Sequence, residues 1–65
     1  MQQKTLDALF RVYAKLEEIT NELYNLADDA VDEGNFNDAS ILQARANILY
    51  EQMENIDVVI SELGG

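Results

Sequence analysis

The sequence predicts an all-α fold, an antiparallel two-helix hairpin that dimerises into a four-helix bundle with its turns at opposite ends. Two observations lead to the hairpin. Apolar residues recur at alternating intervals of three and four in both halves of the chain, and this spacing places them on one side of a helix. Proline is absent, and the one glycine away from the C-terminal pair, Gly34, separates the two periodic halves. A single turn joining two helices accounts for both.

Each half carries one apolar stripe. With Leu9 as heptad position a, positions a and d of the first helix hold Leu9, Val12, Leu16, Ile19, Leu23, Leu26 and Ala30. Position e adds Leu6, Tyr13 and Ala27, which widen the stripe. The second stripe consists of Ala39, Leu42, Ala46, Leu49, Met53, Ile56, Ile60 and Leu63. We expect the two stripes to face each other, and the members of the two stripes other than alanine to form the core of the dimer.

The chain is expected to form a single domain over 1–65. The first helix is predicted over about residues 4–33, the turn over 34–37 and the second helix over about 38–63. A connection of about four residues makes the helices antiparallel neighbours. At 1.5 Å per residue, each helix is on the order of 40 Å long.

The residues around the turn carry local signals for the helix ends. Gly34 ends the first helix, because glycine adopts a left-handed backbone conformation without steric cost. Asn37 is the expected N-cap of the second helix, with Asp38 then facing the positive end of the helix dipole. Asn35, with Asp38 three residues later, is an alternative cap that moves the boundary by two residues.

The size of the chain favours association. A domain of 65 residues buries only about 60% of the surface of its unfolded chain. Small domains compensate with disulfides, a metal or a partner chain. Cysteine and histidine are both absent, which excludes disulfides and removes the commonest strong metal ligands. We therefore expect a homodimer of two hairpins.

The net charge of −9, from four basic and thirteen acidic residues, limits the expected partners. A negative field repels phosphate backbones and anionic lipids, so direct nucleic-acid or membrane binding is not expected. No apolar run approaches the length of a signal peptide or a membrane span, and a cytoplasmic location is expected as the default. The charge favours a basic protein partner, or serves solubility alone.

The composition argues against an enzyme, a cofactor and a metal site. Nucleophilic catalysis lacks its usual histidine or cysteine, and two helices do not enclose a pocket that excludes water. The acidic turn is not a calcium-binding loop of the helix-loop-helix type, whose obligatory glycine would be Gly34. This register puts Val31 and Ser40 at two ligand positions, and neither fits.

Several residues are candidates for binding a partner. The acidic cluster, defined as Asp28, Asp29, Asp32 and Glu33, lies in the last turns of the first helix, where the dipole disfavours anions. Its members also repel each other at four-residue spacing. The cluster either serves a partner or is a solvated helix end. The other candidates are Glu18 and Glu22 beside the first stripe and the apolar residues Phe10, Ile41 and Ile48 outside the stripes, which either widen the dimer seam or contact a partner.

One flank of the first helix is electrically polarised. Positions c and g run from basic to acidic along the chain, in the order Lys4, Arg11, Lys15, Glu18, Glu22, Asn25, Asp29 and Asp32. Two hairpins with their turns at the same end would bring like charges together, whereas turns at opposite ends pair plus with minus. The charge pattern therefore predicts the opposite-ended dimer.

In layout, the chain resembles the Rop family, whose two-helix hairpins dimerise into four-helix bundles. The resemblance implies the architecture, but an RNA-binding role is not carried over because the surface here is acidic. We expect a non-enzymatic acidic interaction module acting as an inhibitor, adaptor or assembly factor. The alternatives are an acidic decoy that mimics nucleic acid and a structural subunit of a larger assembly.

Overall fold

A computed structural model describes residues 2–64 and shows a hairpin of two helices. Helix α1 spans Gln3–Asp32 and helix α2 spans Phe36–Gly64. The Cα atoms of the hairpin extend 48 Å along its axis and 14 by 11 Å across it. The helices are antiparallel, since a Cβ added at Gly64 would lie 2.9 Å from Leu6 Cδ1, near the opposite end of the chain. The predicted all-helical hairpin is confirmed.

The turn is closed by hydrogen bonds to the last carbonyls of α1. Gly34 has φ of +78°, and its N–H donates to the Val31 carbonyl at 2.9 Å. The N–H of Asn35 donates to the Ala30 carbonyl at 2.8 Å. This pair of bonds is the Schellman motif, which requires a left-handed residue directly after the helix. The predicted stop at Gly34 is confirmed, with Glu33 as the C-cap.

Helix α2 begins two residues earlier than the preferred cap predicted. Asn35 Oδ1 accepts from the N–H of Asp38 at 3.4 Å, and Asn35 Nδ2 donates to Asp38 Oδ2 at 2.6 Å. The Asn35 carbonyl also accepts from the N–H of Ala39 at 3.1 Å. Asn37 lies inside the helix, so its interpretation as the cap is wrong and the Asn35 alternative is confirmed. Asn35 prevails because the Schellman turn already places its side chain beside the free N–H groups of α2.

The seam between the helices uses a different row of α1 from the one expected. Position d was expected to face α2, but Val12, Ile19 and Leu26 at d are exposed. Thr20 and Ala27 at position e are buried in their place, together with Ala30 at a. The seam residues of α1 occupy positions a and e, and successive members lie three or four residues apart, the same intervals that separate positions a and d. The members of the seam are Leu6, Leu9, Tyr13, Leu16, Thr20, Leu23, Ala27 and Ala30 on α1, and Ala39, Leu42, Ala46, Leu49, Met53, Ile56 and Ile60 on α2.

The reason for this rotation of about 50° is the size of the side chains. Helix axes lie closest where the contacting side chains are small. Ala27 faces the alanine row of α2, which includes Ala39 and Ala46, both buried. If the d row of α1 faced these alanines instead, the larger side chains of Leu26 and Ile19 would hold the helices apart. Thr20, at 2% exposure, is tolerated because its hydroxyl donates to the Leu16 carbonyl at 2.6 Å, which satisfies its polar atom.

We expect Gly34→Ala to lower the free energy of unfolding by about 1 kcal/mol, the cost of a left-handed L-residue. The new methyl group would meet no atom within 4 Å, so backbone strain is the whole effect. Urea unfolding followed by circular dichroism measures the change. Gly34→Asn is the matched control and should lose less, since asparagine tolerates this conformation. Equal stability of Gly34→Ala and the parent chain would contradict the turn described here.

Candidate functional site

The hairpin presents two long faces, one on each side of the seam. Positions d and b of α1 lie on opposite sides of the row that packs against α2. The Tyr24 hydroxyl, at position b, donates to Asn47 Oδ1 on α2. This hydrogen bond shows which row of α2 shares the b side. The row of α2 on the other side, next to position d of α1, contains Leu42, Leu49 and Ile56.

The apolar face is defined by the d row of α1 and the adjoining row of α2. Val12 is 44% exposed, Ile19 48% and Leu26 51%. From Val12 to Leu26 the row runs about 21 Å along the helix. Half-buried leucines and isoleucines continue it towards the seam and onto α2, namely Leu9, Leu16, Leu23, Leu42, Leu49 and Ile56. A continuous apolar band is thereby left open along the hairpin.

The four basic residues lie on the side of the apolar face or on the outer back of α1. Lys4 and Arg11 occupy position c, Lys15 position g, and Arg45 the flank of α2 beyond Leu42 and Leu49. They share this side with acidic residues that lie nearer the turn. The apolar face is thus bordered by both signs of charge.

The opposite side is the tyrosine face, which holds all three tyrosines, Tyr13, Tyr24 and Tyr50, together with Phe10. Within residues 2–64 it carries no lysine or arginine. Its acidic residues are Asp7, Glu17, Asp28, Glu51, Glu54 and Asp57. The Tyr24 hydroxyl bonds to Asn47 across the seam, because the antiparallel register sets the two residues level.

A cleft of about 370 Å³ opens on the tyrosine face where α1 passes α2. It is lined by Tyr13 from α1 and by Tyr50, Met53, Glu54, Asp57 and Val58 from α2. Met53 is buried, whereas Tyr50, Glu54 and Asp57 are exposed. A smaller depression of about 190 Å³ lies near the turn on the other side and is lined by Asp38, Ile41 and Leu42.

The acidic cluster remains exposed at the turn end of α1. Asp28, Asp29, Asp32 and Glu33 are all exposed, and the last turn of α1 contains no basic residue. Glu33 is the C-cap and not a helical residue. The cluster therefore keeps the unfavourable dipole and like-charge interactions inferred from its spacing.

The other candidate residues are not gathered into one site. Glu18 and Glu22 lie on the outer side of α1, away from α2. Phe10 is on the tyrosine face, while Ile41 and Ile48 lie on the far side of α2 towards the apolar face. Antiparallel register also separates Phe10 from Ile48 by about 18 Å along the axis. A single apolar docking patch made of these three residues is therefore not formed.

Sequence reasoning missed the cleft residues Glu54 and Asp57 and the buried Thr20. The signal for Thr20 was the spacing of position e, which continues from Leu6 through Tyr13 to Ala27 in steps of seven. The signal for the cleft was weaker, since Tyr13 and Asp57 become neighbours only through the register of the hairpin.

No cluster of three or more metal-binding side chains occurs in the part of the chain that the structure describes. Neither helix, over these same residues, is both long and apolar enough to cross a membrane. The chain matches no family model, no curated protein and no solved structure.

Proposed function

We propose that the protein is a non-enzymatic interaction module, a helical homodimer whose acidic surface docks on a basic protein as an inhibitor, adaptor or assembly factor. The observation that carries the proposal is the row of half-exposed Val12, Ile19 and Leu26 beside the seam. A second hairpin laid on this apolar face completes a four-helix bundle. The expected dimer core then consists of the apolar face together with the half-buried leucines and isoleucines of the seam that adjoin it.

The interior of one hairpin supports the need for a second. The buried apolar residues are four alanines and Met53, and every leucine and isoleucine among residues 2–64 remains at least partly exposed. Alanines contribute little apolar area, so this core stabilises a lone hairpin weakly. Packing the apolar face against a copy buries the larger side chains.

The solvent-exposed area of the hairpin also supports association with a second copy. The hairpin exposes 4833 Å², whereas a compact monomer of 7.3 kDa exposes about 4200 Å². The excess, about 600 Å², is smaller than the ~800 Å² that each partner buries in a standard interface. One further hairpin on the apolar face is enough to remove it.

Charge complementarity favours a dimer with the turns at opposite ends. Lys4, Arg11 and Lys15 lie at the end of α1 away from the turn, and Asp29 and Asp32 lie near it. In the opposite-ended arrangement, the basic end of one copy borders the acidic end of the other. The negative charge left uncompensated, mostly on the tyrosine face, then supports a basic protein as the external partner.

Ile19→Gln should weaken the dimer about thirtyfold in Kd. Burying the exposed half of Ile19 contributes about 1 kcal/mol per copy, or about 2 kcal/mol for the two copies in a dimer. Sedimentation equilibrium of the parent chain and the variant measures this. Ala14→Gln, on the exposed outer side of α1, introduces the same side chain and should leave Kd unchanged. A folded monomeric parent chain at micromolar concentration would refute the homodimer.

A nitroxide attached at Asn37→Cys tests the direction of the dimer, because cysteine is otherwise absent. Asn37 is exposed near the turn and, unlike Asn35, caps no helix. Pulsed dipolar spectroscopy should give a distance of the order of the helix length, about 40 Å, between the two labels. A label at Asn21→Cys, near mid-helix, serves as the control for dimer formation. A short distance at position 37 would mean that the turns meet.

The Asp28→Asn, Asp29→Asn and Asp32→Asn triple variant tests the acidic cluster. Dipole and like-charge penalties disappear, while the pairing of Asp29 and Asp32 with the basic end of the second copy is lost, so the free energy of unfolding should rise only slightly, by about 0.5 kcal/mol. Binding of an arginine-rich peptide at low salt, measured by calorimetry, should weaken if the cluster contacts the partner. The stability and the affinity are thus expected to change in opposite directions.

The matched control for this triple variant removes three carboxylates elsewhere, at Asp7, Glu22 and Glu62. Equal loss of affinity in both variants would show that net charge alone attracts the peptide. Unchanged binding of the cluster variant would identify the cluster as a solvated helix end.

A further inference from the structure

The cleft on the tyrosine face combines three features that recognise one kind of side chain. Its volume, about 370 Å³, lies at the lower end of the range for sites that bind small ligands. Tyr13 and Tyr50 line it from different helices. Glu54 and Asp57 add two carboxylates from successive turns of α2, which at this spacing lie on the same side of the helix.

The tyrosines offer aromatic surface to a cation. The face of a tyrosine ring attracts an ammonium or guanidinium group through its quadrupole. Tyr50 is 51% exposed, so its ring is accessible without rearrangement of the seam. Tyr13 is half-buried between the helices and approaches the cleft from the other wall. A flat cation entering the cleft therefore meets aromatic surface from both helices.

The carboxylates lack a basic neighbour on this face. All four basic residues of the chain are placed on the apolar-face side or the back of α1. Glu17, at position b of α1, and Glu51, on the adjoining side of α2, add further negative charge around Glu54 and Asp57. The field in the cleft is thus of one sign, which attracts a cationic group from outside.

The apolar part of the lining fits the stem of the same ligand. Met53, which is buried, and Val58, which is exposed, add carbon and sulfur surface to the lining. Long basic side chains lay their methylene stems along such surface while the charged head remains at the polar rim. Arginine fits better than lysine, because its planar guanidinium stacks on aromatic rings and pairs bidentately with carboxylates.

We propose that this cleft binds an arginine side chain of the basic partner. The inference rests on the proposed function, from which it takes the basic protein partner, and it specifies where one residue of that partner docks. The tyrosine face is opposite the apolar face, so dimerisation through the apolar face leaves the cleft open. Each dimer then carries two arginine sites on its outer surfaces.

The experiment compares a short acetylated peptide of alternating glycine and arginine with its lysine counterpart of equal charge, titrated into the full chain at low salt by calorimetry. The arginine peptide should bind about three- to fivefold more tightly, as expected for stacking at a partly exposed site. Tyr50→Leu should abolish this preference while leaving the lysine peptide nearly unaffected. Circular dichroism verifies that the variant remains helical.

A pair of charge-matched variants locates the carboxylates. Glu54→Gln with Asp57→Asn should weaken the arginine peptide about tenfold more than Glu22→Gln with Glu62→Gln, because the latter pair lies outside the cleft. Both variants lose two negative charges. A difference between them therefore reports the cleft and not the net charge.

The possible outcomes separate the two proposals. If both peptides bind, and Tyr50→Leu and the cleft carboxylate variant behave like their controls, the arginine site is refuted and the basic-partner function stands. If neither peptide binds the parent chain at low salt, the basic-partner function itself is refuted, and the arginine site with it. Arginine preference lost in the cleft variants alone supports both.

Discussion

The packing of small side chains between the two helices determines the rest of this structure. Ala27 and Ala30 of α1 are buried against the row of α2 that contains Ala39 and Ala46. Close packing of this kind allows the helix axes to approach, and it requires the row that holds Ala27 to face α2. The same rotation turns Ile19 and its row outwards. A hairpin with a compact seam therefore has an open apolar face.

The rotation also separates two kinds of surface. On one side, large apolar side chains are bordered by charges of both signs, a combination suited to a second copy of the same surface. On the other side, tyrosines and carboxylates occur without a basic residue among residues 2–64. The two faces lie on opposite sides of a hairpin whose Cα atoms extend 14 by 11 Å across its long axis. The proposed dimer and the proposed arginine site therefore use different faces of the hairpin.

The turn shows how local interactions select one of two helix boundaries. Asn35 and Asn37 both have the side chain of an N-cap. Once Gly34 takes its left-handed conformation, the N–H of Asn35 donates to the Ala30 carbonyl. The Asn35 side chain then forms hydrogen bonds with Asp38. The acidic cluster directly before this turn has no comparable local compensation. Its four carboxylates remain exposed at the end of α1.

The sequence by itself determined the two helices, the stop at Gly34 and the antiparallel layout, because these depend on spacing and on the conformational freedom of one glycine. The row of α1 that packs against α2 was decided by the tertiary structure. Positions d and e both lie three or four residues from a, so periodicity does not distinguish Ile19 from Thr20. The cleft was also beyond the sequence, since Tyr13 and Asp57 are brought together by the register of the hairpin. Both features depend on the fit of side-chain volumes across the seam, which a pattern along one helix does not contain.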